Sequence, residues 1–280
     1  MSTLSIHSRP LALIALLSIF PAGCADKKQS DARDGSSAST STAPDASGSA
    51  KDGASAKFAS CVDDDEPGCK AKCEGGDAES CLRLAVIYAF GNANVKEDLP
   101  AAIATYAKAC DAGLGKSCYY LASAYGSGRG TKADPAKQAE LHKKAIPLLL
   151  AACDGEPGDG ESCSILGDLH MTGEGVPKDP AKEEARRKQA DVLYGKECDR
   201  ADGAACSMFA ASRISAKDGP GAAKAAKQGC DAGSGGACQV LAGIYDEGFE
   251  GVAADPAKAR ELFELACKRG LGASCSRLKR

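Results

Sequence analysis

One short device recurs along this chain: two cysteines separated by seven residues that are mostly small or turn-forming. The clearest copy reads Cys110-Asp-Ala-Gly-Leu-Gly-Lys-Ser-Cys118. Others stand at Cys61/Cys69, Cys73/Cys81, Cys198/Cys206, Cys230/Cys238 and Cys267/Cys275, and one with two extra residues at Cys153/Cys163. Eight steps along an α-helix separate Cα atoms by about 12 Å, and eight along a strand by about 26 Å. A disulfide spans only about 4.4–6.8 Å. If these cysteines bond, the chain must reverse between them, and Gly, Asp and Ser suit such a turn. The recurring unit is expected to be a stapled helix–turn–helix corner.

Whether they bond depends on the compartment, and the N-terminus speaks to that. His7 and Arg9 precede an apolar run from Leu11 to Phe20, followed by Pro21-Ala22-Gly23-Cys24. A run of this length is too short to span a bilayer permanently but suits the core of a signal peptide. The small residues before Cys24 resemble the bacterial lipobox, whose cysteine is lipidated and becomes the mature N-terminus; Pro21 stands where that pattern prefers Leu. Residues 1–24 are therefore expected to be an export signal, with Cys24 carrying lipid. Residues 25–57 are rich in Ser, Ala, Asp, Gly and Thr with little that could pack, so they read as a disordered tether before a folded domain at 58–280.

The chain has 15 cysteines, an odd number. With Cys24 lipidated, the rest fall into the seven spaced pairs, and export supplies the oxidising conditions in which disulfides persist. The expected bonds are Cys61–Cys69, Cys73–Cys81, Cys110–Cys118, Cys153–Cys163, Cys198–Cys206, Cys230–Cys238 and Cys267–Cys275. Exchange among Cys61, Cys69, Cys73 and Cys81 stays open, because Cys69 and Cys73 can share a helix face. Structural zinc sites use closely spaced Cys/His pairs; that spacing is missing, and only His142 and His170 follow the signal. Neither a metal nor a cofactor is expected.

Aligning on the second cysteine exposes a repeat. Three positions on stands Leu84, Leu121, Leu166, Phe209, Leu241 or Leu278, and the next residue is Ala85, Ala122, Gly167, Ala210 or Ala242. Three further comes Tyr88, Tyr125, His170, Arg213 or Tyr245. Offsets of zero, three, four and seven share one helical face, which defines a helix A. His170 fills an aromatic slot, so it reads as packed. Glycine loops follow, such as Gly126-Ser-Gly128-Arg-Gly130 and Gly173-Glu-Gly175. They read as helix ends rather than phosphate loops, since neither a strand nor a Lys-Ser/Thr pair flanks them.

Asp134-Pro135, Asp179-Pro180 and Asp255-Pro256 then supply an N-cap and a first-turn proline for a helix B; Asp98 and Asp218 take the same slot. From this Asp to the next cysteine is 12 positions in three units and 19 after Asp134 and Asp179. Seven extra residues are nearly two helical turns and rotate the face by only about 20°. In the fourth unit the glycine loop is truncated and Arg213 replaces the aromatic, so a tight and less well packed corner is expected there. A period near 37 residues means a helical solenoid of five helix pairs with a half-unit at each end.

The combination L-A-x-x-Y, G-x-G-V, D-P-x-K-A and C-x7-C resembles the Sel-one-like repeat, a relative of the tetratricopeptide repeat. The cysteine spacing is similar to that of the secreted Helicobacter cysteine-rich proteins, also known as the Hcp β-lactamase family. The resemblance covers about residues 61–280. It implies an all-α, right-handed α/α solenoid with disulfides at the corners and a concave face, lined by helix A, that binds a protein or peptide. Mapped onto this chain, that face would include Tyr119, Ser123, Ser164, Asp168, Gln239 and Gly243.

Two functions follow. The first is an exported scaffold for protein or peptide binding, held at the membrane by its lipid in the periplasm or at the cell surface. A net charge of −3 with basic residues beside acids gives no reason to expect nucleic acid as a partner. The alternative, implied by the resemblance alone, is weak β-lactam hydrolysis. A serine β-lactamase needs Ser-x-x-Lys with Ser-Asp-Asn and Lys-Thr-Gly partners; after the signal only Ser276-Arg-Leu-Lys279 fits, without either partner. A zinc enzyme needs more histidines than this chain has. No catalytic residue is expected.

Overall fold

A computed structural model describes Cys61 and residues 65–92 and 94–278. The signal at 1–24 with Cys24, and the stretch 25–57, lie outside the described residues. The described residues form an all-helical domain: α1 (Glu66–Glu74), α2 (Ala78–Phe90), α3 (Leu99–Asp111), α4 (Gly115–Ser127), α5 (Pro135–Cys153), α6 (Gly160–Thr172), α7 (Pro180–Asp199), α8 (Gly203–Ser215), α9 (Gly219–Asp231), α10 (Gly235–Glu247), α11 (Pro256–Lys268) and α12 (Gly272–Arg277). Among the described residues the only β-type pairing is an isolated bridge between Phe249 and Val252.

These helices form an α/α solenoid of repeated pairs. The A helices are α2, α4, α6, α8 and α10, each followed by its B helix, α3, α5, α7, α9 or α11; α1 and α12 are the terminal half-units. Each B helix starts in the same way. Asp98, Asp134, Asp179, Asp218 and Asp255 each accept a hydrogen bond from the N–H three residues on, with proline at one of the first two helical positions. The N–H of the same aspartate donates to the carbonyl of Tyr88, Tyr125, His170, Arg213 or Tyr245, at 2.7–3.1 Å. The aligned position therefore closes the A–B loop through its backbone, which is why its side chain can vary.

The joints into the A helices and α12 share one geometry in five cases of six, and at the sixth, from α5 to α6, the Asp159 N–H donates to the Ala152 carbonyl instead. Asp77, Leu114, Asp202, Ser234 and Leu271 each send their N–H back five residues, to Lys72, Ala109, Glu197, Gly229 and Ala266. This is the six-to-one bond of a Schellman ending, which needs a left-handed residue just before. With the reversal set, the structure bonds all seven spaced cysteine pairs, Cα atoms 4.5–4.9 Å apart. The first four cysteines join as Cys61–Cys69 and Cys73–Cys81.

Behind each joint, the residues at offsets three and four pack inward: Leu121 and Ala122, Leu166 and Gly167, Leu241 and Ala242 are buried. At offset seven the side chains lie at the rim, and His170 corrects the expectation of a packed aromatic. It is half-buried, with Nδ1 3.4 Å from the Pro177 carbonyl oxygen.

The long B helices carry their inserted turns without losing the seam: α5 and α7 have 19 and 20 residues against 13 for α3, α9 and α11. Cys153 and Cys198 remain buried at their ends. Pro147 lies inside α5 on an exposed face, where the carbonyl it leaves unbonded can be hydrated.

The fourth unit also departs from expectation. Its corner is short, but its packing is close. Ala210, Ala211, Ala222, Ala225 and Ala226 are all buried, and a Cβ added to Gly229 would come within 2.6 Å of Cys206 Cβ and 2.7 Å of Ala237 Cβ. Arg213 leaves no gap: its guanidinium pairs with Asp191 and lies 5.0 Å from the centre of the Phe209 ring. Small residues replace the missing bulk by letting the backbones approach.

One joint carries strain. Gly113 has φ 90° with open space around its Cβ position, whereas the matching residue in the next-but-one joint is Ala201, at φ 62°. A side chain in this conformation costs about 1 kcal/mol. Ala201→Gly should raise the unfolding free energy by about 1 kcal/mol, and Gly113→Ala should lower it by a similar amount. Urea denaturation of the two oxidised variants measures both signs.

Candidate functional site

Two residues before the second cysteine, successive A helices carry Glu79, Lys116 and Glu161, an acid–base–acid column legible in the sequence only once the repeats are in register. Lys116 lies in the first turn of α4, where the helix dipole disfavours a cation, and the N-cap Leu114 offers no side-chain bond. Its side chain is only 8% exposed, yet three carboxylates reach its Nζ: Glu79 Oε1 at 2.7 Å, Asp159 Oδ2 at 3.2 Å and Glu161 Oε2 at 3.2 Å. All three acids occupy helix starts, where negative charge is favoured: Glu79 in the first turn of α2, Asp159 at the N-cap of α6 and Glu161 in the first turn of α6. One ammonium thereby ties three consecutive units together.

Burial pushes the Lys116 pKa down, but Glu161, Glu79 and Asp159 outweigh it and hold the ammonium well above the ordinary lysine range. Burial likewise raises Asp159, and Lys116 with the Ser162 hydrogen bonds more than reverses that, leaving the carboxyl below its usual value.

Tyrosines surround this ladder. The Tyr120 hydroxyl donates to Glu161 Oε1 at 2.6 Å, its ring centre is 5.7 Å from that of Tyr106, and Tyr119 meets it edge-on at 5.5 Å. Burial and then Glu161 raise the phenol pKa of both Tyr120 and Tyr106. Tyr119 in turn stacks on His142 of α5, ring centres 6.0 Å apart.

Of the six positions that the sequence resemblance placed on the inner face, all are half-buried. Tyr119 on α4 and Asp168 on α6 act on each other across a repeat boundary: burial, then the Asp168 charge, pushes the Tyr119 phenol up to about 12. Asp168 is itself tied to Arg187 at 2.9 Å. Ser123 lies one turn after Tyr119, and Ser164 follows Cys163 on α6. Gln239 and Gly243 lie on α10, with α8 and α9 between them and α6 in the chain. Sequence reasoning missed Glu79, Lys116, Glu161, Tyr120 and His142, the residues that make most of the contacts between units here.

Four segments of the chain, 78–114, 115–146, 160–187 and 236–271, match the family model of the Sel1 repeat. The chain carries Sel1 repeats. The matches fall on the pairs α2–α3, α4–α5, α6–α7 and α10–α11, leaving the alanine-rich α8–α9 pair as the divergent repeat. Among solved structures, a Sel1 repeat protein from Oxalobacter formigenes is similar at 23% identity over 72% of this chain and 75% of its own, with a TM-score of 0.39. A putative sel1 repeat protein from Klebsiella pneumoniae subsp. pneumoniae is similar at 19% identity over 77% and 82%, TM-score 0.35. The immunity protein Pa5087 from Pseudomonas aeruginosa is similar at 16% identity over 69% and 81%, TM-score 0.41. No curated protein matches the chain.

Sel1 repeats mediate protein–protein interaction, and seven disulfides place the folded chain in an oxidising, extracytoplasmic setting. No described helix is long and apolar enough to cross a membrane. Among the described residues no group of three or more His, Cys, Asp and Glu side chains could hold a metal ion.

Lys116→Met should destabilise the protein by about 2–4 kcal/mol at neutral pH, somewhat below a fully buried broken pair because the carboxylates are a third exposed. The deficit should shrink as the pH falls through the carboxylate range, where the abandoned acids take up protons; urea unfolding at pH 7 and pH 4 measures it. His142 adds a second pH dependence. Its burial lowers its pKa against the opposing charge of Glu174, whose Oε2 is 3.9 Å from Nε2. The stability gained by keeping it neutral is present above the ordinary value of about 6.5 and is lost as the pH falls through the lowered native value. His142→Phe should flatten the fall of the thermal midpoint between pH 7.5 and pH 5.

Proposed function

We propose that this protein is an exported scaffold, anchored through lipid on Cys24, whose layer of A helices binds a protein or peptide in the bacterial cell envelope. The observation that carries the reading is the covalent regularity of the array. Six bonded joints hold five helix pairs, four of them matching the Sel1 repeat, in fixed sequence, and a preorganised surface of this kind lowers the ordering cost of binding. The layer also differs along its length. Three carboxylates face one ammonium among tyrosines on α2, α4 and α6. On α8 and α10 the corresponding column carries Ala204 and Gly236, beside Met208 and Val240. A partner that offers basic groups to one end and apolar side chains to the other fits this surface best. The Hcp-like cysteine spacing supports the envelope location.

β-Lactam hydrolysis finds no comparable support. Lys116 is the one buried lysine among the described residues, and its carboxylates keep it protonated, so it supplies no general base. Ser276 is exposed and its hydroxyl bonds the Gly272 carbonyl on α12.

The reading is tested with the full chain expressed in its envelope. Wild-type protein should sediment with membranes, cross-link to a defined partner and incorporate labelled fatty acid. Cys24→Ser should release it to the soluble fraction. Ser123→Arg with Gly243→Arg should abolish the cross-link while leaving helicity and all seven disulfides intact. A cross-linked partner retained by that double variant would refute the binding face, and unlabelled Cys24 would refute the anchor.

A further inference from the structure

Six of the seven disulfides close joints between successive helices, and among them Cys230–Cys238 has its own electrostatic setting. Arg269, the residue after α11, folds back across the preceding joint. Its Nη1 donates to the Cys230 carbonyl at 2.6 Å and lies 2.9 Å from Cys238 Sγ and 3.8 Å from Cys230 Sγ. The guanidinium has no carboxylate partner among the described residues, so its charge is directed at the bond. Arg186 approaches Cys153 Sγ at 3.2 Å, but Asp154 neutralises it at 2.5 Å. The Cys110–Cys118 bond, equally buried, has no guanidinium beside it.

We propose that Cys230–Cys238 is a thiol–disulfide exchange site, primed by Arg269 to be opened by an external dithiol. A thiolate of the dithiol attacks Cys230 Sγ; the Cys230–Cys238 bond breaks and its electron pair leaves on Cys238 Sγ, against the guanidinium. The second thiol of the dithiol loses its proton and attacks its own sulfur in the mixed disulfide, releasing the Cys230 thiolate, which takes up a proton. The protein gains two electrons and the dithiol becomes an internal, cyclic disulfide. A cation beside the departing sulfur lowers its pKa, which speeds its departure and stabilises the reduced form. The cysteines are 3% and 0% exposed, so exchange follows local opening. That opening is eased by the small core around the bond, where the two cysteines pack with Ala237 and Ala266 and only partly buried leucines flank them. Reduction there would loosen the α10–α11 pair from α9 without touching the ladder around Lys116.

The test is an exchange equilibrium on the full oxidised protein. Samples are held at graded ratios of reduced to oxidised dithiothreitol, quenched in acid, alkylated and mapped by mass. Cys230–Cys238 should reach half-reduction at a ratio about tenfold lower than Cys110–Cys118, the effect of one charge-assisted contact to a thiolate. Arg269→Gln should close that gap, and Arg269→Lys should keep part of it. A merely structural arginine predicts the opposite sign, because losing the bond to the Cys230 carbonyl would loosen the joint and ease reduction. A gap that persists or widens in Arg269→Gln therefore overturns the proposal. If that variant does not fold, wild-type protein reduced at this bond alone decides. The pH dependence of Cys238 alkylation should have its midpoint at least one unit below the usual thiol value of about 8.5, and an ordinary midpoint overturns the proposal.

Discussion

The reversal between each B helix and the next A helix is the constraint on which the rest of the structure depends. In a solenoid each unit touches only its neighbours, so nothing distant corrects an error at a joint. Here the joint is determined twice. At every joint but that from α5 to α6, a Schellman hydrogen bond and a left-handed residue reverse the backbone, and the reversal brings two cysteines to disulfide distance. Each bond contributes about 2–3 kcal/mol in the chain-entropy model. That matters for a chain without tryptophan, in which aromatic residues are 5% of the total and much of the core is alanine.

This division explains what could be read from the sequence. The caps, the joints and the inserted turns are local: an aspartate and the N–H three residues on, a cysteine and its partner eight residues on. Their geometry follows from chain stereochemistry. The seam survives the long helices because α5 and α7 gained close to a whole number of turns. Lys116 was not legible in this way. Its partners Glu79 and Asp159 are 37 and 43 positions away, and a lysine in the first turn of a helix normally reads as solvated. The acid–base–acid column can be seen in register, but its burial cannot. Arg213 misled for a related reason. Replacement of an aromatic suggested a defect, whereas the backbone carbonyl at that position makes the bond that recurs in every repeat and the side chain was free to find Asp191 and Phe209.

The two ends of the array fix their register by different physics. Across α2, α4 and α6, unlike groups meet: ammonium with carboxylate, phenol with carboxylate, tyrosine with imidazole. Shifting one helix by a turn would leave the Lys116 ammonium buried without its partners, so the polar network selects one alignment over its neighbours. Across α8, α9 and α10 much of the contact is alanine and glycine, with Leu241 and Phe209 among the few bulky side chains. Close approach gives good packing, but a row of similar small residues discriminates weakly between neighbouring registers. There the alignment rests on the bonds Cys198–Cys206 and Cys230–Cys238, and on side chains that reach back over them. Gln228 donates to the Cys198 carbonyl at 2.7 Å, and Arg269 to that of Cys230. The half with the least specific packing is thus the half most dependent on its disulfides, and opening one of them changes its geometry more than the same event would beside the ionic ladder.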